Sequence, residues 1–194
     1  MRESVIERKT RETDITVRLD LDGGGKADIQ TGVPFLDHML ELFTRHGLFN
    51  ITVSARGDLE TGYHHTVEDV GICLGDAFAD ALGDKTGINR FGEATVPMDE
   101  ALVSVSLDLS GRFCLVYKPG IRKIKIGDFN LGLIREFLKA FAEETKMSLH
   151  INSPYGRDPH HVVEAVFKAL GRAMREAVSI DPRVKGIPST KGTL

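Results

Sequence analysis

The stretches "HHTVEDVGICLG" at residues 64–75 and "HHVVEAVFKALG" at residues 160–171 are two versions of one pattern. Each begins with two adjacent histidines, places a glutamate three residues after the second, and continues with apolar residues spaced three and four apart. This spacing predicts an amphipathic helix with one face packed on a core. The chain therefore contains the same helix, with the same polar beginning, twice.

The repeat extends beyond these two helices. "LDLDG" at residues 19–23 is matched by "LDLSG" at residues 107–111, and Phe43 is matched by Phe141. The offsets between matched stretches are 88, 98 and 96 residues, and such differences arise when loops change length. An internal duplication into two similar modules follows from this order.

Each half is predicted to follow the order ββαβα. In the first half, alternating apolar residues at 15–21 predict a strand that enters a hairpin with "ADIQTG" at 27–32. Apolar residues at helical spacing between Leu36 and Phe43 predict a helix, and a strand and the histidine helix follow. The second half repeats this order.

These elements predict an α+β fold of two internally duplicated ββαβα modules packed together. Each module is expected to have a sheet with two helices on one face, because a layered arrangement buries the apolar face of each element. The expected boundaries are residues 1–88 for the first module and 89–194 for the second. The other face of each sheet would need cover from the second module or from another chain.

The amino-acid composition of the chain excludes several classes of protein. The chain has 194 residues, 41% hydrophobic content and a formal net charge of -3, so it can form a core but has no basic field for nucleic acid or an anionic membrane. No apolar run approaches the roughly 20 residues of a membrane helix. Cys73 and Cys114 lie in apolar runs without C-x-x-C spacing, so both are expected to be buried. With no leader-like segment, these features predict a cytoplasmic protein.

The histidine pairs have the chemistry of metal ligands. His64 and Glu68 are four residues apart, as are His160 and Glu164, so each pair presents an imidazole and a carboxylate on one helix face. Divalent metal ions accept this combination, and manganese, iron and zinc suit it equally. A simpler reading is also available, since a glutamate in the first turn favours the helix dipole and a surface histidine needs no ligand role.

The duplication favours the metal reading. Both histidines and the glutamate occur in both copies, whereas the adjacent Asp69 is replaced by Ala165. Asp69 is therefore interpreted as a structural or solvated acid. His65 and His161 lie on the flank of each helix, too far round for the same ion, and would suit a neighbouring one. Two metal ions shared between modules or between chains are expected.

One further residue in each module is a candidate ligand. His38 lies on the first predicted helix of module one, and its repeat partner in module two is Glu136. Both side chains can bind a divalent metal. Glu136 can also be read as an ordinary solvent-facing helix glutamate, and the sequence leaves the two readings open.

Several motifs carry a resemblance to a known family. The chain closely resembles imidazoleglycerol-phosphate dehydratase from "RKTRETDI" to "IPSTKG", at the motifs "DHML", "HHTVED", "HHVVEA" and "STKG". The resemblance implies a lyase of L-histidine biosynthesis that removes water from D-erythro-imidazole-glycerol phosphate to give imidazole-acetol phosphate. It also implies two Mn²⁺ ions per active site, sites assembled between subunits, and a homo-oligomer of twenty-four chains.

The resemblance further implies roles for individual residues. Glu12 in "RETDI" resembles a substrate-facing acid/base, and Glu164 is the alternative carboxylate for proton transfer. The implied phosphate contacts are Arg90, Arg112, Lys168, Ser189, Thr190 and Lys191. The sequence departs from the family at Glu136, where some relatives have a histidine, and at Leu42, where some have a polar residue. Because a carboxylate can also hold manganese, an altered metal affinity is expected rather than a loss of activity.

Two other functions fit parts of the pattern. A metallohydrolase of phosphorylated substrates would also use paired metals, but its site would normally be richer in aspartate, and turnover of generic phosphate esters would identify it. A non-enzymatic shell or metal store would bind metal and form no dehydration product.

Overall fold

The computed structural model describes residues 2–121 and 125–194, and each half of the chain contributes a sheet and two helices. The first half contains β1 (Glu3–Lys9), β2 (Thr13–Asp20), β3 (Ala27–Gln30), α1 (Pro34–Gly47), β4 (Asn50–Gly57), a 3-10 turn (Leu59–Thr61) and α2 (His64–Leu82). The second half contains β5 (Phe91–Met98), β6 (Ala101–Asp108), β7 (Cys114–Lys118), β8 (Lys125–Ile126), β9 (Phe129–Asn130), α3 (Gly132–Glu144), β10 (Ser148–Tyr155) and α4 (Pro159–Val178).

The two four-stranded sheets have the same topology. Their strand orders are β1-β2-β4-β3 and β5-β6-β10-β7. In each sheet the last pair, β3 with β4 and β7 with β10, is parallel and the other pairs are antiparallel. The predicted α+β class is confirmed, and the shared topology agrees with a duplicated module.

The predicted hairpin between residues 15–21 and 27–32 is wrong. β3 pairs in parallel with β4, with Ile29 opposite Val53, because β2 is already paired on both sides, by β1 and by β4. β1 and β5 were not predicted. Both are edge strands. β1 turns Ser4 and Arg8 inward and so lacks a clear apolar alternation, whereas β5 has one, with Ala94, Val96 and Met98 packed against the core.

The four helices form a layer between the two sheets. α2 packs against β1 and β2 on one side and α3 on the other, while α4 packs against β5 and β6 and also against α1. The modules thus join through their helices, and the outer face of each sheet points away from the contact. On β2 that outer face carries the exposed Asp14 and Arg18, so polar residues cover it.

Close approach of the helices depends on equivalent glycines. A Cβ on Gly75 would lie 2.7 Å from Cβ of Glu144, and a Cβ on Gly171 would lie 2.5 Å from the carbonyl oxygen of Phe43. These glycines allow α2 to cross α3 and α4 to cross α1. Around the crossings lie edge-to-face aromatic contacts among Phe43, Phe49, Phe78 and Phe141, a favourable arrangement of buried rings.

Both histidine helices begin where the sequence predicts. α2 begins at His64, and α4 begins at Pro159 after Asp158, whose side chain accepts a hydrogen bond from the backbone N–H of His160. Asp69 is buried and structural, since it pairs with Arg8 and accepts a hydrogen bond from Thr13.

The two cysteines differ in burial. Cys73 is buried as expected, but Cys114 is exposed, because it lies on the edge strand β7 with its side chain on the outer sheet face. In the part of the chain that the structure describes, no helix has the length and apolar character needed to cross a bilayer.

Candidate active site

A group of three possible metal ligands joins the two halves of the chain. Nε2 of His38 on α1 and Nε2 of His160 on α4 each lie 3.1 Å from the same oxygen, Oε1 of Glu164. Across residues 2–121 and 125–194, this is the one set of three His, Cys, Asp or Glu donors with ligand atoms all within 4.8 Å of one another. The packing of α1 on α4 therefore brings a residue of the first module to the histidine pair of the second.

Glu164 is held as a carboxylate. Burial raises its pKa, but the hydrogen bonds from Lys168 and His38 outweigh burial and lower the pKa to about 2. Nζ of Lys168 lies 2.7 Å from Oε2 of Glu164. Two imidazoles and an ionised carboxylate are a donor set that fits a divalent ion such as manganese, iron or zinc.

The corresponding pair in the first module is more open. Nε2 of His64 lies 3.3 Å from Oε2 of Glu68, and these side chains are 55% and 37% exposed, against 39% and 12% for His160 and Glu164. Glu136, the repeat partner of His38, lies on α3, and its carboxylate accepts a hydrogen bond from Arg135 at 3.3 Å. His64, Glu68 and Glu136 are each candidate ligands, but together they do not form a three-donor group among the described residues.

The second histidine of each pair faces a carboxylate that the sequence reasoning missed. Nδ1 of His65 lies 3.0 Å from Oδ2 of Asp58, and Nδ1 of His161 lies 2.7 Å from Oε2 of Glu100. Each contact raises the pKa of its histidine. Asp58 precedes α2 by one short turn, whereas Glu100 comes from the β5–β6 turn, so only the folded chain brings Glu100 to its histidine.

Glu12 lies near the histidine pair of module one. Its carboxylate is 3.9 Å from Nδ1 of His65, which is beyond hydrogen-bond distance. Its backbone carbonyl accepts a hydrogen bond from the N–H of Asp58. The side chain of Glu12 is 55% exposed, so solvent or a ligand can reach it.

Most of the predicted phosphate contacts lie together at another place. Arg90 pairs with both carboxylate oxygens of Asp108, and its Nη1 donates to the carbonyl of Pro188 at 2.9 Å. The chain terminus at Leu194 lies beside Gly111, next to Arg112. The segment that contains Ser189, Thr190 and Lys191 therefore follows the arginine-bearing end of the second sheet.

Lys168 is separated from this group along β5. Its Nζ lies 3.1 Å from Sδ of Met98 at the end of β5, whereas Arg90 precedes the first residue of the same strand. At the rise of an extended strand, these two ends are roughly 25 Å apart. Within one chain, the arginine-and-tail group is thus far from the ligand group around Glu164.

An aromatic chain connects the two histidine helices. Phe129 packs between Tyr63 and Phe35, with ring centroids 6.3 and 4.9 Å away, and Phe35 contacts His160 edge-to-face at 5.4 Å. Because Tyr63 immediately precedes α2, the beginnings of α2 and α4 lie on the same side of the molecule.

Comparison with known proteins gives the family of the chain. The family model for imidazoleglycerol-phosphate dehydratase matches residues 31–174, a range that includes both histidine pairs, His38 and Glu136. The chain belongs to the imidazoleglycerol-phosphate dehydratase family. The match excludes the first 30 residues and the tail, but individual relatives cover these as well.

Two relatives named imidazoleglycerol-phosphate dehydratase align over their full length. The protein from Bacillus velezensis is 58% identical over 194 residues, with 100% of both chains covered. That from Geobacter metallireducens is 55% identical over 193 residues, covering 100% of this chain and 99% of the relative.

Two solved dehydratases share the fold. The Staphylococcus aureus enzyme superposes with a TM-score of 0.84 at 34% identity, covering 92% of this chain and 99% of its own. The Pyrococcus furiosus enzyme superposes with a TM-score of 0.83 at 39% identity, covering 97% and 100%. The chain is a hydro-lyase of histidine biosynthesis that dehydrates imidazoleglycerol phosphate, as the resemblance predicted.

Proposed function

We propose that this dehydration takes place at a site with two Mn²⁺ ions. The observation that carries the proposal is the convergence of His38 and His160 on one oxygen of the buried Glu164. The proposed ligands are His38, His64, His65, Glu68, Glu136, His160, His161 and Glu164. Manganese at this site would stabilise the negative charge that develops as the substrate loses a proton from carbon and then hydroxide.

Glu12 is the better candidate for proton transfer. A catalytic acid or base works best when its pKa lies near the working pH, and the pKa of Glu164 is about 2 because of its bonds to Lys168 and His38. Glu164 is also engaged through both oxygens. The carboxylate of Glu12 is exposed and lies outside hydrogen-bond distance of His65, so it is free to move a proton between the substrate carbon and its hydroxyl.

The phosphate of the substrate is proposed to bind a cationic group. Its members are Arg90, Arg112, Lys168, Ser189, Thr190 and Lys191. Arginine and lysine hold phosphate through charge-assisted hydrogen bonds. Arg90 already holds the tail through Pro188, so it also positions the residues that follow.

A complete site is proposed to need more than one chain. The arginine-and-tail group and the ligand group of Glu164 lie at opposite ends of β5, and a small substrate cannot span roughly 25 Å. A second chain placed against the first could bring the two groups together. This is consistent with a homo-oligomer of twenty-four cytoplasmic chains, each folded as modules of residues 1–88 and 89–194.

Metal removal tests the manganese assignment. The purified protein would be stripped with a chelator and titrated with Mn²⁺, Fe²⁺ or Zn²⁺, while bound metal and dehydration of imidazoleglycerol phosphate are measured. We expect activity to disappear on stripping and to return with Mn²⁺. Full turnover by the stripped protein would contradict a metal site, and recovery with another ion alone would contradict manganese.

Mixing of chains tests the shared site. A chain truncated after Ile187 lacks the tail, and a Glu164→Gln chain lacks a ligand, so each alone should be nearly inactive. Assemblies that contain both chains should regain activity if a site combines groups from different subunits. Mixed assemblies as inactive as their parents would show that each chain builds its own site.

A further inference from the structure

Equivalent glutamates have different partners in the two modules. In the alignment that matches residues 19–23 to 107–111, Glu12 corresponds to Glu100. Each of them directly precedes the second strand of its sheet. Glu100 contacts Nδ1 of His161 at 2.7 Å, whereas Glu12 lies 3.9 Å from Nδ1 of His65. The glutamate at this position therefore contacts the second histidine in module two but not in module one.

Asp58 replaces the missing contact in module one. Its two oxygens lie 3.0 and 3.2 Å from Nδ1 of His65, and Oδ2 also accepts a hydrogen bond from Thr61 at 3.0 Å. Asp58 comes directly after β4. The residue directly after the equivalent strand β10 is Gly156, where a Cβ would lie 2.4 Å from Cγ2 of Val162. Module two thus has no room for an acid at the position of Asp58.

Glu100 is itself held in place. Its Oε1 accepts hydrogen bonds from the backbone N–H groups of Asp158 at 2.7 Å and Arg157 at 3.0 Å, which leaves Oε2 for His161. The acid therefore joins the β5–β6 turn to the beginning of α4. Both modules fix the second histidine through Nδ1, but with acids from different loops.

We propose that Asp58 and Glu100 are positioning residues for the metal site, and that Asp58 has taken over in module one the role that leaves Glu12 available for proton transfer. An acceptor at Nδ1 keeps the proton on that nitrogen, so Nε2 stays unprotonated and available to a metal ion. The acceptor also fixes the orientation of the ring. This inference rests on the proposed function, in which His65 and His161 are metal ligands.

Manganese affinity provides the test. Stripped protein would be titrated with Mn²⁺ and the free ion followed by its paramagnetic resonance signal, for the wild type, Asp58→Asn and Glu100→Gln. Mutation of such a partner typically weakens metal binding about 10- to 100-fold, and we expect this range for both variants, because an amide carries no charge and has only one acceptor oxygen. Glu60→Gln is the matched control, because Glu60 is an exposed acid in the 3-10 turn beside Asp58, and it should bind Mn²⁺ as the wild type does.

Turnover at saturating Mn²⁺ separates positioning from proton transfer. Asp58→Asn should recover a nearly normal kcat once excess Mn²⁺ fills its site. Glu12→Gln should show the opposite behaviour, with normal Mn²⁺ affinity and a kcat that excess metal does not restore. Circular dichroism and light scattering would check that each variant is folded, and Glu100→Gln tests the same role if Asp58→Asn is unstable.

Two outcomes would overturn the inference. Wild-type Mn²⁺ affinity in both Asp58→Asn and Glu100→Gln would show that the acids do not position the ligands, and a kcat in Asp58→Asn that stays low with excess metal would make Asp58 itself the proton carrier. The variant His65→Ala tests separately whether His65 is a metal ligand. If that variant binds Mn²⁺ normally, the ligand role of His65 fails, which is a different result from failure of its positioning acid.

Discussion

The two histidine pairs begin equivalent helices but have different surroundings one turn later. In α4, Lys168 follows Glu164 by four residues and bonds to its carboxylate, while the equivalent residue of α2 is Ile72. Glu164 is buried, and the Glu68 side chain is 37% exposed. Duplication therefore preserved the histidine and glutamate residues of both pairs, whereas divergence along the helix determined which pair is enclosed within one chain.

The difference continues to the far end of the helix layer. Beside α4, burial and the charges of Lys168 and Arg172 lower the pKa of His46. Beside α2, burial and the charge of Asp76 raise the pKa of Glu144, which is the repeat partner of His46. One helix pair therefore ends in a basic group and the other in an acidic group.

The strongest test of equivalence removes one histidine from each pair. His64→Ala and His160→Ala should each lower kcat/KM by a factor on the order of 1,000 or more, since a metal ion contributes several kcal/mol to the transition state. Metal analysis should show about one ion fewer per chain. His150→Ala, on the outer face of β10, is the matched control. Wild-type metal content and turnover in His64→Ala would contradict the equivalence of the two pairs, because His64 and Glu68 would then be ordinary surface residues.

The tail provides the next largest effect. Truncation after Ile187 should lower kcat/KM by a factor on the order of 100, because charged hydrogen bonds to phosphate are worth about 1.5 to 3 kcal/mol each. Metal content and assembly size should not change, since the tail contacts Arg90 rather than the ligands. Steady-state kinetics and light scattering provide the measurements. Near-normal turnover would leave phosphate binding to the arginines and Lys168.

The helix crossings test how closely the two modules match in packing. Gly171→Ala and Gly75→Ala should each lower the free energy of unfolding by about 1–3 kcal/mol, because the new methyl groups have no room. The cost should be greater at Gly171, whose nearest atom is a backbone oxygen at 2.5 Å rather than a side-chain carbon at 2.7 Å. Urea unfolding would measure both, with Gly24→Ala as a control in open space. An unchanged midpoint for Gly171→Ala would contradict the close crossing.

The acidic end of the α2–α3 helix pair should show the smallest effect. Burial and Asp76 raise the pKa of Glu144, so folding loses stability as the pH rises and the carboxyl ionises. Glu144→Gln should therefore be more stable than the wild type at pH 7, by about 0.5 kcal/mol. The gain should vanish below the ordinary pKa of glutamate, where both residues are neutral. Glu41→Gln, an exposed acid of α1, is the control, and a loss of stability at pH 7 would contradict the repulsion.

Local patterns made much of the fold predictable. Apolar spacing located α2 and α4 because every contact that defines an amphipathic helix lies within a few residues. The pairing of β3 was predicted wrongly, since a glycine-rich turn resembles a hairpin whether or not the neighbouring strand has a free edge. β1 was missed because it turns Ser4 and Arg8 inward rather than an apolar stripe, and β5 was missed although Ala94, Val96 and Met98 alternate along it.

The candidate site also contains contacts that the sequence predicts and contacts that only the fold brings together. The pairs His64–Glu68 and His160–Glu164 follow from the sequence, because residues four apart always meet on a helix. Asp58 could have been suspected from its place just before α2. Glu100 is distant in sequence from His161, and its one signal was its correspondence to Glu12 in the repeat. The separation of Arg90 from Lys168 also needed the fold, because it depends on β5 lying between them.

The amino-acid sequence is sufficient to predict a duplicated α+β protein with two His-His-x-x-Glu patterns and the motifs of imidazoleglycerol-phosphate dehydratase. Those features are local in the chain, so hydrogen-bond geometry and side-chain spacing are sufficient to specify them. The contact of His38 with Glu164 rather than Glu68 becomes visible only in the folded chain. It forms because α1 packs across the module boundary against α4, and contacts between distant helices depend on how their apolar faces and glycines fit together.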